Sequence, residues 1–95
     1  MTNEQRYWEF VETLIRQANE ELDHQSPGEV VSAMVSATSR FCAFYAASSS
    51  ESRKDLEEDK NEVVHQFGGE FKRKLADDLD DYVANYKVLV LKDQS

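Results

Sequence analysis

From Ser26 to Ala47 the chain reads SPGEVVSAMVSATSRFCAFYAA, a segment that marks a helix start and then turns apolar on almost every side. Ser26, Pro27 and Glu29 form a capping box with proline at the first helical position, predicted to satisfy two backbone donors that the first turn leaves without partners. Beyond it, Val30, Val31, Met34, Val35, Phe41, Cys42, Phe44 and Tyr45 leave no polar face wide enough to be a surface. A helix that is apolar all round is buried by its neighbours or crosses a membrane. Arg40 and several Ser and Thr lie inside the run, and a guanidinium at mid-span costs about 2.5–3.5 kcal/mol. The expectation is therefore a core helix with other helices wrapped around it, and no membrane span.

Pattern and punctuation place the remaining elements. Thr2 and Gln5 have capping-box spacing, and Tyr7, Phe10, Val11, Leu14, Ala18 and Leu22 recur on one helical side, widened by Trp8 and Ile15. Pro27 ends this helix, because the residue before a proline is pushed out of the helical region. A connection of about three residues then forces the second helix to run back antiparallel. Ser48-Ser49-Ser50, with Ser48 three residues before Glu51, reads as a tight turn whose serines cap a third helix. Leu56, Val63, Phe67, Phe71, Leu75, Leu79, Tyr82 and Tyr86 keep helical spacing through that third segment. Gly68-Gly69 interrupts it at roughly 1 kcal/mol per glycine, and the apolar stripe turns by about 80–90° between the two halves.

The expected fold is all-α, one domain over 1–95, with helices at about 3–24, 27–48 and 51–86 and a tail at 87–95. It is an antiparallel three-helix bundle whose third helix is long and continuous or kinked; a four-helix bundle broken at Gly68-Gly69 is the alternative. A straight third helix would be about 54 Å long against about 33 Å for the second, so its distal half overhangs. The overhang is expected to pair in a homo-oligomer, with Phe71, Leu75, Leu79, Tyr82 and Tyr86 at the interface and Arg40 as an interface or buried ion-pair residue. The apolar run Val88-Leu89-Val90-Leu91 is equally consistent with a helix extension, a strand or a frayed end.

Charge excludes some partners. The chain has a formal net charge of −8, and its one basic run, Lys72-Arg73-Lys74, sits among Glu70, Asp77 and Asp78, so nucleic acid is not an expected partner. The acids are zoned: six against two bases in 1–26, one against one in 27–50, and eleven against six in 51–81. An acidic shell keeps a protein soluble and steers basic partners toward it. MTNEQRYWEF contains no basic stretch followed by an apolar run, so no signal peptide is expected and the cytoplasm is the expected compartment. The lone Cys42 permits no intramolecular disulfide and no thiolate zinc site.

No pattern for chemistry survives weighing. Glu21/His24 and Glu62/His65 have the Glu-x-x-His spacing of di-iron bundles, but such sites need a carboxylate from each of two further helices, and the second helix offers only Glu29. Their levels also mismatch by about 12 Å in antiparallel helices. Asp77-Asp78-Leu79-Asp80-Asp81 contains a D-D-x-x-D pattern, which needs a large helical cavity and a second acidic motif to hold magnesium diphosphate. The same stretch lacks the glycine and glutamate of an EF-hand. No catalytic, metal-binding or cofactor-binding residue is assigned, and no cofactor is expected.

The segments MTNEQRYWEFVE, ANEELD, RFCAFYAASSSES and LDDYVANY together resemble a family of short acidic proteobacterial proteins catalogued as a domain of unknown function, DUF3144. The likeness spans nearly the whole chain and is strongest in the first half and around LDDYVANY; Gly68-Gly69 and the VLVL tail depart from it. The resemblance implies a helical protein of the bacterial cytoplasm, and it transfers no functional residue. Two functions remain in view: a non-enzymatic, self-associating interaction or structural module, and an acidic inhibitor or antitoxin-like protein that covers a basic partner. A metal-dependent enzyme built on the Glu-x-x-His pairs is the weakest reading.

Overall fold

A computed structural model describes residues 1–90, which fall into two compact units that divide between Tyr45 and Ala46. The chain is all-α: three long helices and a one-turn fourth, with no strand among the described residues, as the expected bundle requires.

In the first unit, α1 (Asn3–Glu21) begins with a complete capping box. The Gln5 backbone N–H donates to Thr2 Oγ1 at 3.1 Å, and the Thr2 N–H donates to Gln5 Oε1 at 2.8 Å. The helix stops at Glu21, three residues before the expected end, because the chain tightens ahead of Pro27. The backbone N–H groups of His24 and Gln25 both donate to the Glu21 carbonyl at 2.9 Å. α2 (Pro27–Ser49) starts on Pro27 as expected. Its cap is simpler than a capping box: the Glu29 N–H donates to Ser26 Oγ at 3.2 Å, and the Ser26 hydroxyl donates to Glu29 Oε1 at 2.9 Å. The Glu29 carboxylate holds the capping hydroxyl instead of reaching back to the backbone, so one orphan donor is satisfied by this pair rather than two. Ser26→Ala should lower stability by about 1 kcal/mol. A melting temperature unchanged by that substitution would show that the cap contributes nothing.

On the apolar helix the Thr38 hydroxyl is satisfied within α2, donating to the Met34 carbonyl at 2.9 Å. Within this unit Val30 is buried, while Val31, Met34, Val35, Phe41, Phe44 and Tyr45 are all exposed.

The second unit begins with the last residues of α2 and continues into α3 (Arg53–Ala84). Its cap is Ser52 rather than a serine of the 48–50 run: Ser52 is extended, and its Oγ accepts from the Asp55 N–H at 3.1 Å. The run serves α2 instead, with Ser48 and Ser49 in the helix and the Ser50 hydroxyl donating to the Ala47 carbonyl at 2.7 Å.

α3 passes through Gly68-Gly69 as one uninterrupted helix of 32 residues, about 48 Å long, so the alternative break at the glycines is not adopted. No glycine in the chain has a positive φ, and both glycines sit in ordinary helical backbone. The helix ends at Ala84, where Asn85 leaves helical geometry. The Asn85 backbone N–H and its side-chain amide both donate to the Asp81 carbonyl, at 2.9 and 3.1 Å, and the amide also donates to Asp81 Oδ1 at 2.9 Å. One further turn, α4 (Tyr86–Leu89), takes in Val88 and Leu89 of the apolar tail; Leu91 lies outside the described residues.

Candidate interaction surfaces

Near its turn, the α1–α2 hairpin encloses a groove of about 280 Å³ lined by Leu14, Ala18, Val30, Ala33, Met34 and Ala37, among others. The same helical faces continue toward the open end. Tyr7 and Phe10 stand seven and four residues from Leu14, and Phe41 and Phe44 stand four and seven residues from Ala37, spacings that return to one face. Yet Phe10 is 63% exposed and Phe41 74%, and Tyr7, Phe44 and Tyr45 are also exposed. Tyr7 and Trp8 pack edge to face, ring centroids 5.0 Å apart.

Arg40 is the only charge between Glu29 and Glu51, and it is exposed. Among the described residues the sole ion pair is Arg53–Glu57 at 4.0 Å, a solvent-screened contact one turn apart, so Arg40 has no carboxylate partner. An exposed guanidinium is solvated and needs no carboxylate within the chain. Arg40→Met should leave the stability of an uncovered hairpin unchanged. A loss of thermal stability or a change in oligomeric mass would place Arg40 at an interface, and both are readable in one light-scattering melt. By length and composition α2 also meets the requirement for a membrane span, with a mean hydropathy of 1.3 over its best window. Against this stand Arg40 and the hydroxyls of Ser32, Ser36, Thr38 and Ser39.

On α3, the two halves of the apolar stripe differ in cover. Leu56, Val63 and Phe67, before the glycines, are half-buried. Phe71, Leu75, Leu79 and Tyr82, after them, are exposed, as is Tyr86 on α4. The five proposed interface residues thus form one continuous apolar strip open to solvent, flanked by the exposed Asp77, Asp78, Asp80 and Asp81.

Among the described residues no three His, Cys, Asp or Glu side chains cluster. Each glutamate of the two Glu-x-x-His pairs is engaged by a glutamine one turn on: Gln25 Nε2 donates to Glu21 Oε2 at 2.9 Å, and Gln66 Nε2 to Glu62 Oε1 at 3.2 Å. His24 lies beyond the end of α1, so only Glu21 of the first pair sits on a helix. Cys42 is a half-buried free thiol.

A family model described as "Protein of unknown function (DUF3144)" matches residues 7–83, and the chain belongs to that family. No curated protein and no solved structure matches the chain.

Proposed function

We propose that this protein is a non-enzymatic interaction or structural module that associates with copies of itself. The observation that carries the reading is that Val30 is the only buried residue described, while more than twenty large apolar side chains stand exposed. One buried valine contributes about 1.5–3 kcal/mol, against a backbone cost of about 1–2 kcal/mol for each ordered residue. Helices this long persist only if their apolar faces are covered, and a second copy supplies faces of the same kind. The distal strip Phe71, Leu75, Leu79, Tyr82 and Tyr86 is the contact expected at the interface.

Sedimentation equilibrium over a wide concentration range tests this. A dimer or larger species with a melting temperature that rises with concentration is expected. A folded monomer at high micromolar concentration would overturn it.

The second reading, an acidic protein that covers a basic partner, draws on the exposed and largely unpaired carboxylates of α1 and α3. Ionic strength separates the two readings. Copies carrying −8 each repel, so salt strengthens self-association, whereas a complex with a basic partner weakens as salt screens it.

A further inference from the structure

We infer that the distal strip of α3 meets the same strip of a second copy in an antiparallel pair centred on Ala76, with the basic run of each copy beside the acidic run of the other. This rests on the self-association proposed above and sets the direction and register of its interface.

The charges of α3 are segregated in an unfavourable order. Lys72-Arg73-Lys74 comes first and Asp77-Asp78-Leu79-Asp80-Asp81 follows, and all of these side chains are exposed. Arg73 with Asp77, and Lys74 with Asp78, stand one turn apart, but a base ahead of an acid is the weaker arrangement along a helix. Neither pair forms: among the described residues the sole ion pair is Arg53–Glu57. The last turn of α3 holds Asp81 and no base, next to the negative end of the helix dipole. The bases ahead of residue 50 are Arg6, Arg16 and Arg40, each isolated from the others. The run of bases that matches the four aspartates is Lys72-Arg73-Lys74 of another copy.

An antiparallel pair brings the two runs together. A two-fold axis at Ala76 sets Lys74 level with Asp78 of the second copy, because each lies two residues from the axis, and symmetry repeats the contact. At about 100° per residue, Lys74 and Asp78 fall on the same edge of the strip, about 100° and 60° from its centre. The two-fold places equivalent edges side by side. The apolar side chains fit the same register. Phe71 comes within one residue of level with Tyr82 of the second copy, the two Leu75 side chains flank the axis, and Leu79 falls midway between Leu75 and Phe71 across the pair. A parallel pair in register instead sets bases against bases and aspartates against aspartates, which opposes association.

Mixing charge variants at one ionic strength tests the contact. Lys74→Glu turns both cross-pairs into acid against acid, and Asp78→Lys turns both into base against base. Each change should weaken the homodimer by about tenfold at low salt. Mixed in equal amounts, the two variants restore both cross-pairs while each helix keeps its own like charges. The mixture should therefore associate more tightly than either variant alone in sedimentation equilibrium, whereas net charge by itself would leave it between the two. A mixture no tighter than the stronger variant overturns the contact. Oxidation in a Cys42→Ser background reads the direction. Leu75→Cys should become mainly covalent dimer, while Tyr86→Cys, about 30 Å from its counterpart in this register, should not cross-link. An oligomer without cross-linking at Leu75→Cys, or with cross-linking at Tyr86→Cys, overturns the antiparallel register while the proposed self-association stands. If the parent protein and every variant sediment as monomers, both fall.

Discussion

Leu79→Asp is expected to dissociate the protein and remove a large part of its helical circular dichroism. Leu79 lies at the centre of the distal strip, with Leu75 one turn before it and Tyr82 and Tyr86 after it, and it is 55% exposed in the single chain. On a free surface such a change stays within about 0.5 kcal/mol, since a solvated carboxylate costs little and the helix is already acidic. At a packed interface it deletes a buried side chain worth about 1.5–3 kcal/mol and leaves a carboxylate without a partner, which costs several kcal/mol more. Sedimentation velocity and far-ultraviolet dichroism at one concentration separate these cases. A variant with the mass and ellipticity of the parent would mean that the strip faces water and that the oligomer, if formed, uses another surface.

The second large effect runs in the opposite direction. Replacing Gly68 and Gly69 together by alanine should stabilise the protein by about 1–2 kcal/mol, since each glycine in a helix interior costs about 0.5–1 kcal/mol relative to alanine. For a chain of this size, about 1 kcal/mol moves the melting temperature by roughly 4–8 °C, so the shift is easily resolved. The local geometry permits the exchange. A Cβ on Gly68 meets nothing within 4 Å, and one on Gly69 meets only the end of the flexible Arg73 side chain at 3.4 Å. Neither residue has the positive φ that would require glycine. A fall in melting temperature, with loss of oligomer, would show that another helix crosses α3 closely at this point. The two variants also report on each other: a double alanine variant that is more helical yet still dissociated by Leu79→Asp would assign helix continuity and association to different parts of α3.

The elements that were legible in the sequence are those whose energetics are local. Pro27 both ends one helix approach and starts the next, because its ring restricts the residue before it and its missing N–H costs nothing at the first helical position. Thr2 with Gln5, and the 3.6-residue recurrence from Tyr7 to Leu22, place α1 for the same kind of reason. Where competing local signals were close together, the reading slipped. Ser52, not Ser48, caps α3, since any serine near the turn offers the same oxygen and only the extended backbone at Ser52 presents it to Asp55. The end of α1 moved from residue 24 to Glu21 because two backbone N–H groups converge on the Glu21 carbonyl, a preference no single side chain encodes.

The apolar strip Phe71, Leu75, Leu79, Tyr82 and Tyr86 was legible as a strip from its spacing, and all five residues are exposed. The exposure of Tyr7, Phe10, Phe41, Phe44 and Tyr45 was not legible, since an apolar side chain has the same letter whether or not something covers it.

The sequence by itself determined that this chain is helical, where its first two helices begin, and that α2 carries one cation on an otherwise apolar surface. Capping, proline geometry and side-chain periodicity act within a few residues, so they are written in order along the chain. The tertiary structure alone decided that α3 runs unbroken through Gly68-Gly69, that Arg40 is exposed, and that Val30 is the one buried side chain of α2 among the described residues. Those outcomes depend on what lies across from a residue in space. An apolar run states that cover is needed, and only the folded chain shows how much of it the protein provides for itself.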